Sequence, residues 1–131
     1  MKNSTTGQKR ILIVEDEMAV RQLCHRVLTS EGFRVDVAAD GKVAQNMMQE
    51  RQYDLYLIDI RLPFLDGKEL YKWLQKASPD SAQRVMFTTG SATDEDTRSF
   101  LRSSGRQVLT KPFTPEELKT KVRQALKAMG G

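Results

Sequence analysis

The chain has 131 residues, a length that suits one domain with a single hydrophobic core and is too short for two. Its formal net charge of +4 is mild and its 21 lysines and arginines are dispersed, which argues against direct binding of nucleic acid. One cysteine, Cys24, excludes an internal disulfide framework and a cysteine-rich zinc site. No apolar run approaches the roughly 20 residues that span a bilayer, and residues 1–9 lack the apolar core of a signal peptide, so we expect a cytoplasmic protein with no membrane segment.

Short continuous apolar runs mark the predicted strands. Runs of this length, bounded by turn residues, are typical of parallel strands that are covered on both faces of a sheet. In chain order, the runs are Ile11 to Val14, Val35 to Ala39, Leu55 to Ile58, Val85 to Phe87 and Val108 to Leu109. The sequence therefore predicts five strands.

Apolar stripes at helical spacing lie between and after these runs. Their members recur three and four residues apart, as expected for the buried face of an amphipathic helix. In chain order, the stripes are Val20 to Leu28, Val43 to Met47, Leu70 to Leu74, Phe100 with Leu101, and Leu118 to Met129. The fourth helix, roughly residues 94–104, is the most polar and should be the least firmly packed. The fifth is the best marked, because Thr114 and Pro115 combine an N-cap with a proline in the first turn.

Strand and helix alternate five times along the sequence. This order predicts an α/β fold with right-handed crossovers, a parallel sheet and helices on both faces. We expect the domain to occupy residues 10–129, with flexible ends at residues 1–9 and 130–131. Ligands of such sheets bind at the carboxyl ends of the strands, so that edge is where a functional site is expected.

Polar residues follow or end four of the predicted strands at that edge. They are Glu15, Asp16, Asp59, Thr89 and Lys111. An unpaired buried carboxylate is costly, so an acid at the end of an apolar strand should meet a metal ion, a lysine or solvent. Carboxylates without a histidine or cysteine beside them favour Mg2+ over a transition metal. A metal that also binds phosphate makes Asp59 a candidate phosphoryl acceptor, with Lys111 neutralising charge on the equatorial oxygens.

Residues close to Asp59 and Thr89 suggest two further hypotheses, one about a hydrogen bond to the phosphoryl group and one about its hydrolysis. Thr89 could donate its hydroxyl to the phosphoryl oxygens, but Thr88 is an alternative, since neighbouring strand residues point to opposite faces. Arg61 and Ser91, each two residues beyond a predicted site residue, could shield or admit the water that hydrolyses an acyl phosphate. We expect Arg61 to slow that hydrolysis by pairing with the acids of the site or by covering the phosphoryl group.

Four segments together resemble the receiver domain of two-component response regulators. They are the run Ile11 to Glu17 with its acidic pair, the segment Asp54 to Gly67 with its Pro63, the step Thr89-Gly90, and Lys111-Pro112-Phe113. The resemblance covers the chain from about Arg10 to Met129, and it is specific because all four segments occur in order. It implies a flavodoxin-like, doubly wound (βα)5 fold with a five-stranded sheet in the order 2-1-3-4-5.

The resemblance implies a phosphorylation site with a bound metal ion. Asp59 would take a phosphoryl group from a phosphohistidine. Asp16, Asp59 and the backbone carbonyl of Arg61 would bind Mg2+, and Glu15 would act mainly through a metal-bound water. The chain would then catalyse its own phosphorylation and dephosphorylation without being an enzyme that acts on a separate substrate.

The resemblance also implies a switch beside that site. Lys111 would pair with the phosphoryl group, Thr89 would swing towards it, and the Lys111-Pro112 peptide bond would be cis. The family couples this threonine to an aromatic residue three positions before the lysine, where this chain has Val108. The switch position therefore lacks its aromatic side chain, and this segment looks more like the receivers of hybrid histidine kinases than like those of transcription factors.

The implied partners are a sensor histidine kinase or a histidine phosphotransfer domain, a downstream protein that the sequence does not name, and a second copy of the chain after phosphorylation. Three other functions fit parts of the sequence. A protein-binding module of the same fold would not need phosphorylation. An aspartate-nucleophile phosphatase needs a general acid two residues beyond its nucleophile, where this chain has Arg61. A DNA-binding transcription factor needs a reading module, and none follows Met129 in this sequence.

Overall fold

The computed structural model describes residues 8–90 and 94–130, and all five predicted strands are present. In chain order, the elements are β1 (Arg10–Val14), α1 (Met18–Ser30), β2 (Arg34–Ala38), α2 (Gly41–Glu50), β3 (Leu55–Asp59), α3 (Gly67–Ala77), α4 (Pro79–Ala82), β4 (Val85–Thr89), α5 (Glu95–Ser104), β5 (Val108–Thr110) and α6 (Pro115–Ala128). The predicted flexible ends fall partly outside these ranges, and Ser91 falls outside them. Within the described ranges, no helix combines the length and the apolar character that crossing a membrane requires.

The strands form one parallel sheet in the order β2-β1-β3-β4-β5. This order confirms the predicted flavodoxin-like α/β fold. The register aligns the carboxyl ends of the strands, since Asp59 lies beside Thr88 and Thr89 lies beside Thr110. A site at this edge can therefore draw side chains from strands that are far apart in sequence.

Two hydrophobic clusters hold the helices against the two faces of the sheet. Neighbouring residues of a strand point to opposite faces, so the central strands supply both clusters. The strand residues under α2 and α3 include Leu12, Val14, Tyr56, Ile58 and Phe87. Those under α1 and α6 include Ile11, Ile13, Leu55, Leu57 and Met86. Each fully buried side chain of this size contributes about 1.5–3 kcal/mol, which stabilises the strands whose ends carry the site.

Strand β2 differs from the prediction that every strand is covered on both faces. It begins and ends one residue earlier than predicted, lies at the edge of the sheet, and leaves Arg34 and Val37 exposed. Asp36, in the middle of this strand, accepts a hydrogen bond of 2.7 Å from the Tyr53 hydroxyl. An edge strand is less covered than a central one, so it can include a charged residue, here paired with the hydroxyl of the buried Tyr53.

Helix α5 is weakly packed, as its polar sequence predicted. It has no buried residue, and Phe100 supplies its aromatic contacts, edge to face with Tyr71 at 5.9 Å and with Phe87 at 5.5 Å between ring centroids. At its start, the Asp94 carboxylate accepts a hydrogen bond of 2.9 Å from the Thr97 backbone N–H. The position of α5 therefore depends on one N-cap and a small set of apolar contacts.

Two glycines allow the loop between β3 and α3 to approach its neighbours closely. A Cβ on Gly67 would lie 2.3 Å from the backbone oxygen of Asp59, and one on Gly41 would lie 1.8 Å from that of Leu65. The first contact holds the start of α3 against the end of β3, and the second holds Leu65 against the start of α2, so a side chain fits at neither glycine. In the middle of the loop, Phe64 is 85% exposed and has a φ of 69°, a strained conformation for a bulky residue.

Candidate functional site

The carboxyl edge of the sheet brings the predicted polar residues into one region. Glu15 and Asp16 follow β1, Asp59 ends β3, Thr89 ends β4 and Lys111 follows β5. Because β1, β3 and β4 are neighbours in the sheet, their last residues lie side by side although they are distant in sequence. The structure places the lysine in contact with both of the buried acids.

Lys111 lies at the centre of the charges of the site. Its Nζ is 2.8 Å from Oε1 of Glu15, 2.8 Å from Oδ2 of Asp59 and 3.1 Å from Oε1 of Glu17. The side chains of Lys111, Glu15 and Asp59 are only 13%, 3% and 5% exposed, whereas that of Glu17 is 63% exposed. Water screens the two buried ion pairs weakly. The lysine therefore neutralises two acids that have little access to solvent.

Burial shifts the protonation of Glu15. Removal from water raises the pKa of Glu15 to about 7, although its hydrogen bonds with Lys111 and with the backbone oppose the change. Burial alone would lower the pKa of Lys111, but its hydrogen bonds with three carboxylates outweigh burial and raise that pKa. At neutral pH the lysine is therefore charged, while Glu15 is divided between its protonated and ionised forms.

Backbone N–H groups orient both buried acids. The N–H of Arg61 donates to Oδ1 of Asp59 at 3.0 Å, and the N–H of Glu17 donates to Oε2 of Glu15 at 3.0 Å. In each carboxylate, one oxygen thus accepts a hydrogen bond from a backbone N–H and the other lies beside Nζ of Lys111. Acids that are fixed in this way need little reorganisation to bind a ligand.

Three carboxylates of the site could hold a metal ion. One oxygen each from Glu15, Asp16 and Asp59 lie within 4.8 Å of one another. Glu15 and Asp59 are buried and Asp16 is exposed, so an ion would lie at the boundary between protein and solvent. All three donors are carboxylate oxygens, the ligands that hard divalent cations prefer. The residues present therefore fit a cation of that kind.

Thr89 has a buried hydroxyl oxygen with no hydrogen-bond partner in the described part of the chain. Its neighbour Thr88 is also buried, but it points to the opposite face of β4, where it lies near Phe113. Leaving a buried hydroxyl unpaired costs about 1–3 kcal/mol. A ligand oxygen at this edge of the sheet could therefore accept a hydrogen bond from Thr89.

The position three residues before Lys111 is filled by Val108, which is partly buried on the same face as Phe87. On this face Tyr71, Phe87 and Phe100 pack edge to face, and Val108 gives β5 no aromatic ring there. The Lys111-Pro112 peptide bond that follows β5 is cis.

The sequence predicts that Arg61 pairs with the acids of the site, but its side chain pairs with neither buried acid. Its Nη2 lies 3.6 Å from Oδ1 of Asp94, the N-cap of α5, at the exposed rim of the site. Lys111 already pairs with both buried acids, and the Arg61 guanidinium stays at the surface. The expected pairing with the acids of the site is therefore not seen with the two buried acids, and Arg61 instead links the acceptor loop to the start of α5. Covering of the phosphoryl group by Arg61 stays a prediction.

Glu17 is the contact of the site that sequence reasoning missed. It is the N-cap residue of α1, and both its carboxylate and its backbone N–H reach the buried charges. The available signal was an unbroken run of three acids, Glu15-Asp16-Glu17, directly after a strand. The direction of the third side chain could not be read from that run.

The fold and the site together define a class of small α/β domain that carries a buried aspartate, a bridging lysine and an acidic pair at its carboxyl edge. Residues 11–123 match the family model of the response regulator receiver domain, and the chain belongs to that family. The predicted resemblance to the receiver domains of two-component response regulators is thereby confirmed.

Known proteins similar to this chain include both kinases and transcriptional regulators. It is 35% identical over 123 residues to the sensor kinase CckA of Brucella abortus (strain 2308), covering 92% of this chain and 13% of that protein. It is 33% identical over 119 residues to the phosphate regulon transcriptional regulatory protein PhoB of Escherichia coli (strain K12), covering 91% of this chain and 52% of that protein. The chain therefore spans about half or less of the length of these relatives.

A solved structure with the same fold is that of a CheY-like response regulator receiver domain protein from Methanospirillum hungatei JF-1. The two chains superpose with a TM-score of 0.86 at 29% sequence identity. The match covers 95% of this chain and 98% of the other, so the likeness extends over nearly the whole of both domains.

Proposed function

We propose that this receiver domain accepts a phosphoryl group on Asp59, taken from a phosphohistidine with the help of Mg2+. The observation that carries the proposal is the contact of 2.8 Å between Nζ of Lys111 and Oδ2 of the buried Asp59 carboxylate. This carboxylate ends a central strand and lies within 4.8 Å of two more acids in a group that fits a hard cation. Membership of the receiver domain family supports the same reaction.

In the proposed reaction, a carboxylate oxygen of Asp59 forms a bond to phosphorus while the phosphorus–nitrogen bond of the donor breaks and imidazole leaves. Negative charge spreads over the equatorial oxygens, and the ammonium of Lys111 neutralises part of it. Asp16, Asp59 and the backbone carbonyl of Arg61 would hold Mg2+, with Glu15 assisting. When bound, Mg2+ supplies further neutralisation of the same oxygens.

Thr89 is the proposed switch residue. Its buried hydroxyl has no partner among the described residues, and donation to a phosphoryl oxygen would supply one. With Val108 on β5, the movement of Thr89 would be transmitted without an aromatic side chain at that position. All the side chains that the reaction needs belong to this chain, so we propose that the domain catalyses its own phosphorylation and dephosphorylation and turns over no separate substrate.

The proposed donor is the phosphohistidine of a sensor histidine kinase or of a histidine phosphotransfer domain. The relatives include a sensor kinase and a transcriptional regulator, and both support the proposal that this receiver takes part in a phosphorelay. We propose that the domain acts in the cytoplasm through protein contacts, which include dimer formation on phosphorylation. The mild and dispersed charge supports an output without direct binding of nucleic acid by this domain.

The Asp59→Asn variant tests the proposed function. Incubation with Mg2+ and acetyl phosphate should add the mass of one phosphoryl group to the wild-type protein, as measured by intact mass spectrometry. The variant should gain none, because an amide lacks the anionic oxygen that attacks phosphorus. Asp96→Asn makes the same change at an exposed residue of α5 and should behave like the wild type.

Two results would contradict this expectation. A wild-type protein that gains no phosphate would favour a binding module that works without phosphorylation. A gain that persists in Asp59→Asn would mean that another residue is the acceptor.

The affinity for Mg2+ should increase with pH and level off above about pH 7. Burial raises the pKa of Glu15 to about 7 in the metal-free site, so below that pH the cation must displace a proton from Glu15. Each pH unit below about 7 should weaken binding by up to about tenfold in isothermal titration calorimetry. Glu15→Gln should flatten this dependence, while Glu116→Gln, a change on the surface of α6, should keep it. A wild-type affinity that is equal at about pH 6 and about pH 8 would contradict the prediction.

A further inference from the structure

Lys111 uses its full hydrogen-bonding capacity before any phosphoryl group arrives. A lysine ammonium has three N–H donors. Carboxylate oxygens of Glu15, Asp59 and Glu17 lie at 2.8, 2.8 and 3.1 Å from Nζ of Lys111, one oxygen for each donor. A phosphoryl oxygen can therefore pair with the ammonium only if one of these carboxylates gives way.

Burial decides which carboxylate gives way. Glu15 is almost fully buried, so water could not replace the contact with the lysine if Glu15 gave it up, which is unfavourable. Asp59 receives the phosphoryl group, so it stays beside Lys111. Glu17 is 63% exposed, so water can solvate its carboxylate, and the ion pair it forms is weak. Glu17 is therefore the partner that the phosphoryl group displaces.

We propose that Glu17 is a positioning residue that restrains Lys111 in the unphosphorylated domain and competes with the incoming phosphoryl group for the third N–H. The inference rests on the proposed function of Asp59 as the acceptor. Repulsion between the Glu17 carboxylate and the phosphoryl oxygens acts in the same direction as the competition. Weakening the contact of Glu17 with Lys111, by removing its charge or shortening its side chain, should therefore speed phosphoryl transfer to Asp59.

The backbone of Glu17 allows its side chain to be changed without disturbing the site. Its N–H donates to Oε2 of Glu15 at 3.0 Å, and its carbonyl accepts from the N–H of Arg21 at 2.9 Å. The side chain itself makes no capping hydrogen bond on α1. A substitution at this position should therefore leave both the start of α1 and the orientation of Glu15 intact.

Initial rates of phosphorylation test the inference. With acetyl phosphate and saturating Mg2+, followed by intact mass spectrometry, Glu17→Gln should react about two- to fivefold faster than the wild type, the factor expected for release of one exposed ion pair. Glu17→Asp keeps the charge but is one methylene shorter, so it should lose the contact with Lys111 and react faster than the wild type, although less fast than Glu17→Gln because the repulsion remains. Glu116→Gln removes an exposed ion pair with Lys119 at the start of α6 and should match the wild type. At saturating Mg2+ every variant has the cation bound, so any difference in the initial rate reflects phosphoryl transfer and not the affinity for the cation.

The possible outcomes separate this inference from the proposed function. A wild-type rate in Glu17→Asp would show that charge alone matters and would overturn the role of the Lys111 contact. A rate of Glu17→Gln at or below that of the wild type would overturn the competition, while Asp59 would still be the acceptor. If neither the wild type nor any variant gains phosphate, the acceptor role of Asp59 fails, and the inference about Glu17 fails with it.

Discussion

Replacing Lys111 with methionine should lower the free energy of unfolding of the metal-free protein by about 3–5 kcal/mol at neutral pH. The change removes the cation that lies 2.8 Å from each of two almost fully buried carboxylates, those of Glu15 and Asp59. Any charge that remains on these acids would then lack the ammonium as a counterion and have little contact with water. Chemical denaturation in the presence of EDTA measures the loss.

The destabilisation should depend on pH and on divalent cations. The pKa of Glu15, which burial already raises to about 7, should rise further without the lysine, so the folded variant binds a proton that the unfolded chain releases. Below about pH 7, Glu15 is protonated in both folded proteins, so the loss relative to the wild type should be nearly constant there and should grow as the pH rises above about 7. Mg2+ should restore part of the stability, because it binds the folded acids and replaces the missing positive charge.

Lys119→Met is the matched control for this experiment. The Nζ of Lys119 also lies 2.8 Å from a carboxylate oxygen, that of Glu116, but this pair is at the surface of α6. Water and salt screen such a pair, so no measurable change in stability is expected. Equal losses in the two variants would mean that burial is not what makes Lys111 important. A metal-free Lys111→Met protein as stable as the wild type would show that the buried acids do not need the ammonium.

The Gly67→Ala variant should lose stability and also displace the acceptor. Its Cβ would lie 2.3 Å from the backbone oxygen of Asp59 and 2.8 Å from Cα of Ile60, so the end of β3 or the start of α3 must move. Overpacking of this kind costs about 1–3 kcal/mol, and backbone atoms cannot relieve it by rotating as a side chain does. The same movement would disturb the Arg61 N–H that holds Oδ1 of Asp59, so phosphorylation by acetyl phosphate should slow as well.

Gly90→Ala separates this close approach from the general effect of adding a methyl group. A Cβ on Gly90 would have no described atom within 4 Å, and the backbone there is not left-handed. The free energy of unfolding should therefore be unchanged in that variant, as urea denaturation can measure. If Gly67→Ala proves as stable as Gly90→Ala, the contact with Asp59 does not constrain the loop.

Most of the sheet and the core of the site could be predicted from the sequence because both follow from local patterns. Continuous apolar runs located β1, β3 and β4, which are buried on both faces. Parallel strands share a carboxyl edge, so the positions of Glu15, Asp59 and Lys111 directly at or after three runs were enough to bring them together. The weak packing of α5 followed from its shortage of apolar residues.

The features that could not be predicted depend on which elements meet in space. The exposure of β2 follows from its place at the edge of the sheet, which its own apolar run does not reveal. The pairing of Arg61 with Asp94 depends on the distance between the loop after β3 and the start of α5. The reach of Glu17 to Lys111 depends on the direction of one side chain at the N-cap of α1. Periodicity along the chain carries none of these distances.

At Phe64, neither the backbone conformation nor the burial of the side chain favours a phenylalanine. A φ of 69° suits glycine, and a side chain that is 85% exposed gains little from burial. For a residue other than glycine, the left-handed backbone costs about 1–2 kcal/mol. The domain would therefore become more stable if this aromatic ring were replaced by glycine, whereas removing a ring from a core has the opposite effect. The loop beside Asp59 is thus less stable with Phe64 than it would be with a glycine at that position.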